Sequence, residues 1–164
     1  MFGPISTPTI IDMEASGFGP QSYPIEIGVA LESGATLCYL VQPRKDWTFW
    51  DENAERVHRI PRDILEAHGR PIEEVAHDLN KNVDTETVFS DGWEVDSPWL
   101  SQLFERARVP CQFHFSALDF ILSEEQMEIW HEAKDRVIAE MEIKRHRASL
   151  DALVIQETFV RTSS

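Results

Sequence analysis

Apolar and polar positions change period several times along the chain, and each change marks an element. Pro8 to Glu14 (PTIIDME) is apolar and β-branched with a polar alternation, which predicts a first strand. SGFGP ends it, because Gly17, Gly19 and Pro20 favour a turn. A second strand is expected from Tyr23 to Leu31. Glu32-Ser33-Gly34 is a hairpin signal, and Thr36 to Val41 is the returning third strand. The period then becomes helical over Asp51–Arg59, Pro61–His68 and Pro71–Asn82, with Pro61 and Pro71 suited to first turns and Gly69 to a stop. Thr87 to Ser90 is a short apolar strand. Ser97–Arg108 is a helix with Pro98 near its first turn, and Gln112 to Phe115 is the fifth strand. Ser123–Glu142 is a long helix opened by Ser123 and Gln126 at capping-box spacing. A last helix runs from about His146 to Thr162. Three meandering strands followed by crossover units predict an α/β fold, a mixed five-stranded sheet flanked by helices.

Composition narrows the class. The 164 residues show no repeat, low-complexity tract or linker, so residues 1–164 are expected to form one domain with a sizeable core. An apolar fraction of 42 % argues against disorder. Lys+Arg 15 against Asp+Glu 29 gives a net charge of −14, which opposes a broad non-specific grip on long duplex nucleic acid. It leaves room for a small site where metal ions supply the positive charge. Cys38 and Cys111 make no disulfide framework and are expected to be reduced, partly buried thiols. No signal peptide or run of ~20 apolar residues is visible, so a soluble cytoplasmic protein that uses no membrane is expected.

The chemistry lies in three segments. In PTIIDMEASGFGP, Asp12 and Glu14 stand two residues apart, which on a strand puts both carboxylates on one face. Two acids that close repel unless a cation or proton intervenes, so metal binding is favoured over a merely solvated face. In VFSDGWEVDSPWL, Asp91 ends a strand. Asp96 lies just before a helix, where it is either an N-cap or first-turn acid or, with the other acids, a metal ligand. In KRHRASLDAL, His146 precedes Asp151 by five residues, amid Lys144, Arg145 and Arg147. A His beside metal-held carboxylates can take a proton from attacking water. His58, His68, His77, His114 and His131 have no ligand spacing with cysteine and read as structural. Trp47, Phe49 and Trp50 form either a base-stacking surface or, as the favoured reading, a packed hydrophobic lid. Phe18, in the turn four residues after Glu14, either stacks on a terminal base or packs into the core beneath the turn.

These segments resemble the DEDDh family of 3′→5′ exonucleases, which includes the proofreading exonucleases and RNase T. IIDMEASGF is similar to the family's first motif, SDGWEVDSPWL to its second and HRASLDA to its third. Where the family usually shows a His-Asn pair, this chain has Ser90 and Asp91. The resemblance implies a ribonuclease H-like fold. It implies two Mg²⁺ or Mn²⁺ ions held by Asp12, Glu14, Asp96 and Asp151, with His146 as general base. The implied substrates are 3′ ends of single-stranded DNA or RNA, or short oligonucleotides, released as nucleoside monophosphates, with Gly17, Phe18 and Arg147 beside the substrate. A homodimer is compatible with this picture. The competing classes are a non-catalytic nucleic-acid-binding or scaffold domain on the same fold, and a two-carboxylate sugar hydrolase, which would leave His146 and Asp151 without a role. The sequence leaves the choice between DNA and RNA open, and with it the part played by Asp91.

Overall fold

The computed structural model describes residues 5–142 and 147–163. Among the described residues, five strands and six helices follow one another as β1 (Ile10–Ala15), β2 (Pro24–Ala30), β3 (Thr36–Leu40), α1 (Glu52–His58), α2 (Arg62–His68), α3 (Ile72–Asn82), β4 (Thr87–Ser90), α4 (Trp93–Ala107), β5 (His114–Ala117), α5 (Glu124–Glu140) and α6 (Ala148–Thr162). A single 3₁₀ turn, Leu118–Ile121, joins β5 to α5. The sheet order is β3-β2-β1-β4-β5. β1–β2 and β2–β3 are antiparallel, whereas β1–β4 and β4–β5 are parallel. This is the mixed α/β architecture that the strand and helix pattern predicts. Among the described residues no helix is long and apolar enough to cross a membrane.

Alternation along β1 and β2 sends successive side chains into two separate cores. Ile11 and Met13, with Ile25, Ile27 and Val29, face a large core closed by Leu65, Val75, Leu79, Leu103 and Phe104 from α2, α3 and α4. Ile10 and Ala30 face a smaller one with Phe89, Trp130, Ala152, Ile155 and Phe159, under α5 and α6. Asp12 and Glu14 share the parity of Ile10, so both carboxylates emerge on the α6 side of the sheet.

Two boundaries and the two cysteines depart from the sequence reading. Helix α4 starts at Trp93, four residues ahead of Ser97, with Gly92 as N-cap. Its first turn is held by Val95 and Asp96 amides donating to the Gly92 carbonyl at 3.0 and 2.8 Å. Pro98 therefore lies inside the helix, and Asp96 lies within the first turn rather than before it. Strand β5 begins at His114 instead of Gln112, because its register is set by pairing with β4, Thr87 opposite His114 and Ser90 opposite Ala117. The preceding loop is held by the Asn80 amide, which accepts from the Gln112 N–H and donates to the Pro110 carbonyl, both at 2.9 Å. The two cysteines are exposed free thiols rather than partly buried ones. The capping box of α5 forms as its spacing predicts, Ser123 accepting from the Gln126 amide and Gln126 from the Ser123 amide.

The aromatic segment after β3 is packed, as its favoured reading holds. Trp47 is buried and stacks on Tyr23 at 5.3 Å, and Trp50 meets the His58 ring edge-on at 5.6 Å. Arg62 closes this layer by donating to the Trp47 carbonyl and the Tyr23 hydroxyl.

Helix α6 approaches β2 so closely that only glycine fits beneath it. A Cβ on Gly28 would come within 2.0 Å of the Ser149 nitrogen and 2.1 Å of the Ala148 carbonyl carbon, both backbone atoms. Gly28 is the strand partner of Asp12, so this contact brings the start of α6 over the acidic face of β1. Gly28→Ala is therefore expected to cost at least ~3 kcal/mol, the upper end of overpacking penalties. Urea unfolding checks this, with the midpoint falling and the slope unchanged.

Candidate active site

Four acids converge at the end of the sheet where β1 and β4 terminate. Asp12 and Glu14 come from β1. Asp96 and Asp151 each stand four residues after a helix N-cap, Gly92 for α4 and Arg147 for α6. A first-turn position favours a negative charge because the helix dipole is positive there. Neither N-cap residue caps its helix with its own side chain. Carboxylate oxygens of Asp12, Glu14 and Asp151 all lie within 4.8 Å of one another. Asp96 is 4 % exposed, and its Oδ2 accepts from Ser90 Oγ at 2.8 Å. Ser90 Oγ in turn accepts from the Gly92 amide at 3.0 Å, which locks the turn that carries Asp96.

Confinement perturbs every one of these acids whose shift is resolved. Burial holds Asp12 well above the usual carboxylate range, and the charges of Asp96, Asp151, Glu14 and Asp91 add to it. Glu14 is pushed up to about 8, first by burial and then by Asp151, Glu26 and Asp96. Asp96 is pushed up to about 7 by burial and by Asp91, against the opposing Ser90 hydrogen bond. Each group thus resists ionising beside its neighbours, which is the electrostatic situation a divalent cation relieves. The donor set, oxygen only and carboxylate-rich, suits hard ions such as Mg²⁺ or Mn²⁺. Asp91 faces Lys134 of α5 at 3.9 Å.

A cleft of about 460 Å³ opens beside the acids, lined by Asp12, Glu14 and Asp96 on one side and by Gly17, Phe18, Ala54, Val57, His58 and Val95 around it. The turn carrying Phe18 is fastened at both ends. Ser16 pairs with Tyr23, and the Asp51 amide donates to the Ser16 carbonyl at 2.9 Å. Gly17 is required by packing, since a Cβ there would meet Phe49 Cε2 at 2.6 Å and Asp51 Cβ at 2.9 Å. Phe18 itself is 75 % exposed, which removes the reading that it packs into the core beneath the turn. Arg147 directs its guanidinium to Glu26, Nε at 2.8 Å and Nη2 at 2.7 Å. His146 lies outside the described residues.

Two residues at this site escaped the sequence reading. His58, read as structural, is 2 % exposed, yet it lines the cleft. Its Nδ1 accepts from the Ile60 amide at 3.0 Å, so the neutral ring carries its proton on Nε2, which has no hydrogen-bond partner among the described residues. Burial lowers its pKa, favouring that neutral form. No local spacing marks it, because the cleft is assembled from β1, α1 and α4. Glu26, the strand partner of Glu14, is the other, and its signal is a lone acid within the apolar run PIEIGVA.

No protein-family model and no curated protein sequence matches the chain. Solved structures do. E. coli exonuclease I in complex with a 5cy-dA13 oligonucleotide superposes with a TM-score of 0.65 at 16 % identity, over 96 % of this chain and 41 % of that one. Exonuclease I from the moderate thermophile Methylocaldum szegediense gives 0.66 at 13 % identity, over 98 % of this chain and 41 % of that one. A chain from the crystal of the yeast NOT1 MIF4G domain with CAF1 gives 0.64 at 13 % identity, over 96 % of this chain and 79 % of that one. What is shared at such identities is the fold. The chain spans about 41 % of the length of the exonuclease I chains.

The raised carboxylates link stability to pH. Unfolded, Glu14 and Asp96 release their protons near 4.5 and 3.8; folded, they keep them to about 8 and 7. Between these values the folded chain binds more protons, so raising the pH favours unfolding. In EDTA, the stability these protons confer is complete below about pH 4 and is lost as pH climbs to about 8. Glu14→Gln is expected to flatten that slope. Mg²⁺ added at pH 8 should raise the wild-type Tm by several degrees, as a ligand of the folded state does, and raise that of Glu14→Gln less. Differential scanning fluorimetry across pH, with and without Mg²⁺, measures both.

Proposed function

We propose that the protein is a divalent-metal-dependent 3′→5′ exonuclease that removes nucleoside monophosphates from single-stranded or short nucleic acids. The observation that carries the proposal is the meeting of Asp12, Glu14 and Asp151 oxygens within 4.8 Å at the mouth of a cleft that also holds Asp96. The shared fold with exonuclease I supports it, as does the match of the three sequence segments to the DEDDh motifs.

In this reading Asp12, Glu14, Asp96 and Asp151 hold two Mg²⁺ or Mn²⁺ ions. When bound, such ions neutralise phosphate charge, acidify water and stabilise the leaving oxygen of a phosphodiester. The remaining work falls to the chain. The cleft admits a terminal nucleotide beside the acids. Phe18, exposed at its rim, offers a ring for the terminal base, and base stacking on an aromatic tolerates any sequence. Val57 and Val95 give the cleft apolar walls that exclude water around the base. Gly17 lets the Phe18 turn sit against Phe49 and Asp51, which fixes where that ring stands. His146 takes the proton of the attacking water as general base. An unpaired 3′ end enters without the cost of melting a duplex, and a surface of net charge −14 offers little to hold a long one.

Hydrolysis of a 5′-labelled oligonucleotide with Mg²⁺ or Mn²⁺ tests the proposal. Stepwise shortening from the 3′ end, abolished by EDTA, is expected. Binding without cleavage would instead establish a non-catalytic binding domain, and cleavage that persists in EDTA would remove the metal site. Asp12→Asn should lower the rate at least ~100-fold, the upper end of what losing a metal ligand's outer partner costs. It should leave the fold intact or slightly more stable, because a repelling charge is gone. His146→Ala should cost on the order of 10²–10⁴ in turnover and remove one limb of the pH–rate profile. Phe18→Ala should raise the Michaelis constant about fivefold or more, ~1 kcal/mol of lost stacking. Its Tm should not change, because the ring is exposed.

A further inference from the structure

Glu26 is an acid with no place in the chemistry above, yet it is 0 % exposed and engaged through both oxygens. Oε1 accepts from the Ala148 amide at 2.7 Å. Oε2 accepts from Arg147 Nε at 2.8 Å and Nη2 at 2.7 Å, with the Cys38 thiol at 3.6 Å. Ala148 is the first residue of α6, a helix whose N-cap side chain makes no cap of its own. Glu26 supplies that cap from 122 residues away in sequence. It does so from the strand position opposite Glu14, so one end of this clamp sits beside one acid of the site. The other end leads to Asp151, whose amide donates to the Arg147 carbonyl at 2.9 Å, one helical turn along. A buried ion pair costs desolvation that apolar packing would avoid. A further negative charge beside Glu14 also adds to the repulsion there. What the carboxylate provides and an apolar side chain cannot is direction: three donors of one helix start held at fixed angles.

We propose that Glu26 is a positioning residue. By capping α6 and pairing with Arg147, it sets where Asp151 stands relative to Asp12 and Glu14, and so sets the affinity of the site for divalent cations. This inference rests on the metal-binding reading of the acids, but not on the nuclease activity.

Two variants separate position from charge. Glu26→Asp keeps the charge and withdraws the carboxylate by one methylene, and Glu26→Gln keeps the reach and removes the charge. Mn²⁺ binding is measured by electron paramagnetic resonance of the free ion. Hydrogen exchange of residues 147–152 is followed in EDTA, and oligonucleotide cleavage on the same preparations. Glu26→Asp is expected to weaken Mn²⁺ binding on the order of tenfold, the scale of lost outer-sphere support. It should also speed exchange at the start of α6 and leave exchange in α3 unchanged. Glu26→Gln should weaken Mn²⁺ binding as well, because the amide faces Arg147 with a donor. Wild-type Mn²⁺ affinity in Glu26→Asp would overturn the inference, even with a lowered Tm, since a merely stabilising residue does that. So would unaltered exchange at residues 147–152. If neither variant folds, Glu26 is a folding residue and the positioning role is rejected. A wild-type chain that binds Mn²⁺ but cleaves nothing would remove the nuclease reading and leave this inference standing.

Discussion

Repulsion among carboxylates confined at one end of a sheet is the constraint around which the rest of the molecule is arranged. Asp12 and Glu14 are bound to share a face by the period of β1, and α6 brings Asp151 to within 4.8 Å of both. Water screens such a cluster poorly when it is half-buried, and burial is the first cause of the raised pKa at Asp12, Glu14 and Asp96. The fold offsets part of the cost. Asp96 and Asp151 occupy the first turns of helices, and Ser90 donates to Asp96. A divalent cation held as proposed would offset the rest, and the site and its metal would then depend on each other.

Rigid elements carry all four acids, and that is what gives the site its definition. β1 is a central strand, paired with β2 on one side and β4 on the other. Both of its faces are packed against helices, with one core beneath α2 to α4 and another beneath α5 and α6. The close approach at Gly28 and the clamp from Glu26 fix the start of α6 in height and in angle respectively. By contrast, the residues that form the cleft rim, Phe18 and Val57, are exposed on a turn and a short helix. Precision thus belongs to the acids, and tolerance to the surface that would meet a base. The proposed reaction would call for that division, since it must place one phosphodiester but accept any terminal nucleotide.

Charge supplies a second, coarser level of selection. At −14 the chain offers little general attraction to extended polyanions, and the cations proposed at the acids would concentrate there what attraction exists. Under the proposed function, a single-stranded end entering the cleft of about 460 Å³ would satisfy this better than a duplex lying along the surface.

Local sequence determined the order and type of every strand and helix, because period and turn chemistry act over a few residues. It also placed Asp12 and Glu14 on one face, since alternation along a strand needs no tertiary information, and it opened α5 correctly through a capping box closed within three residues. Tertiary structure decided the rest. The start of α4 moved to Trp93 because Gly92 and the Ser90–Asp96 bond anchor a turn that Pro98 alone does not reveal. Strand β5 took its register from β4 rather than from its own composition. Phe18 could be core or surface by sequence, and the folded turn leaves it exposed. His58 entered the cleft wall, and Glu26 became the cap of α6, through partners far away in the chain. A helix capped by its own preceding residue can be recognised in the sequence. One capped by a strand 122 residues earlier exists only once the sheet has formed and α6 has come to rest on Gly28.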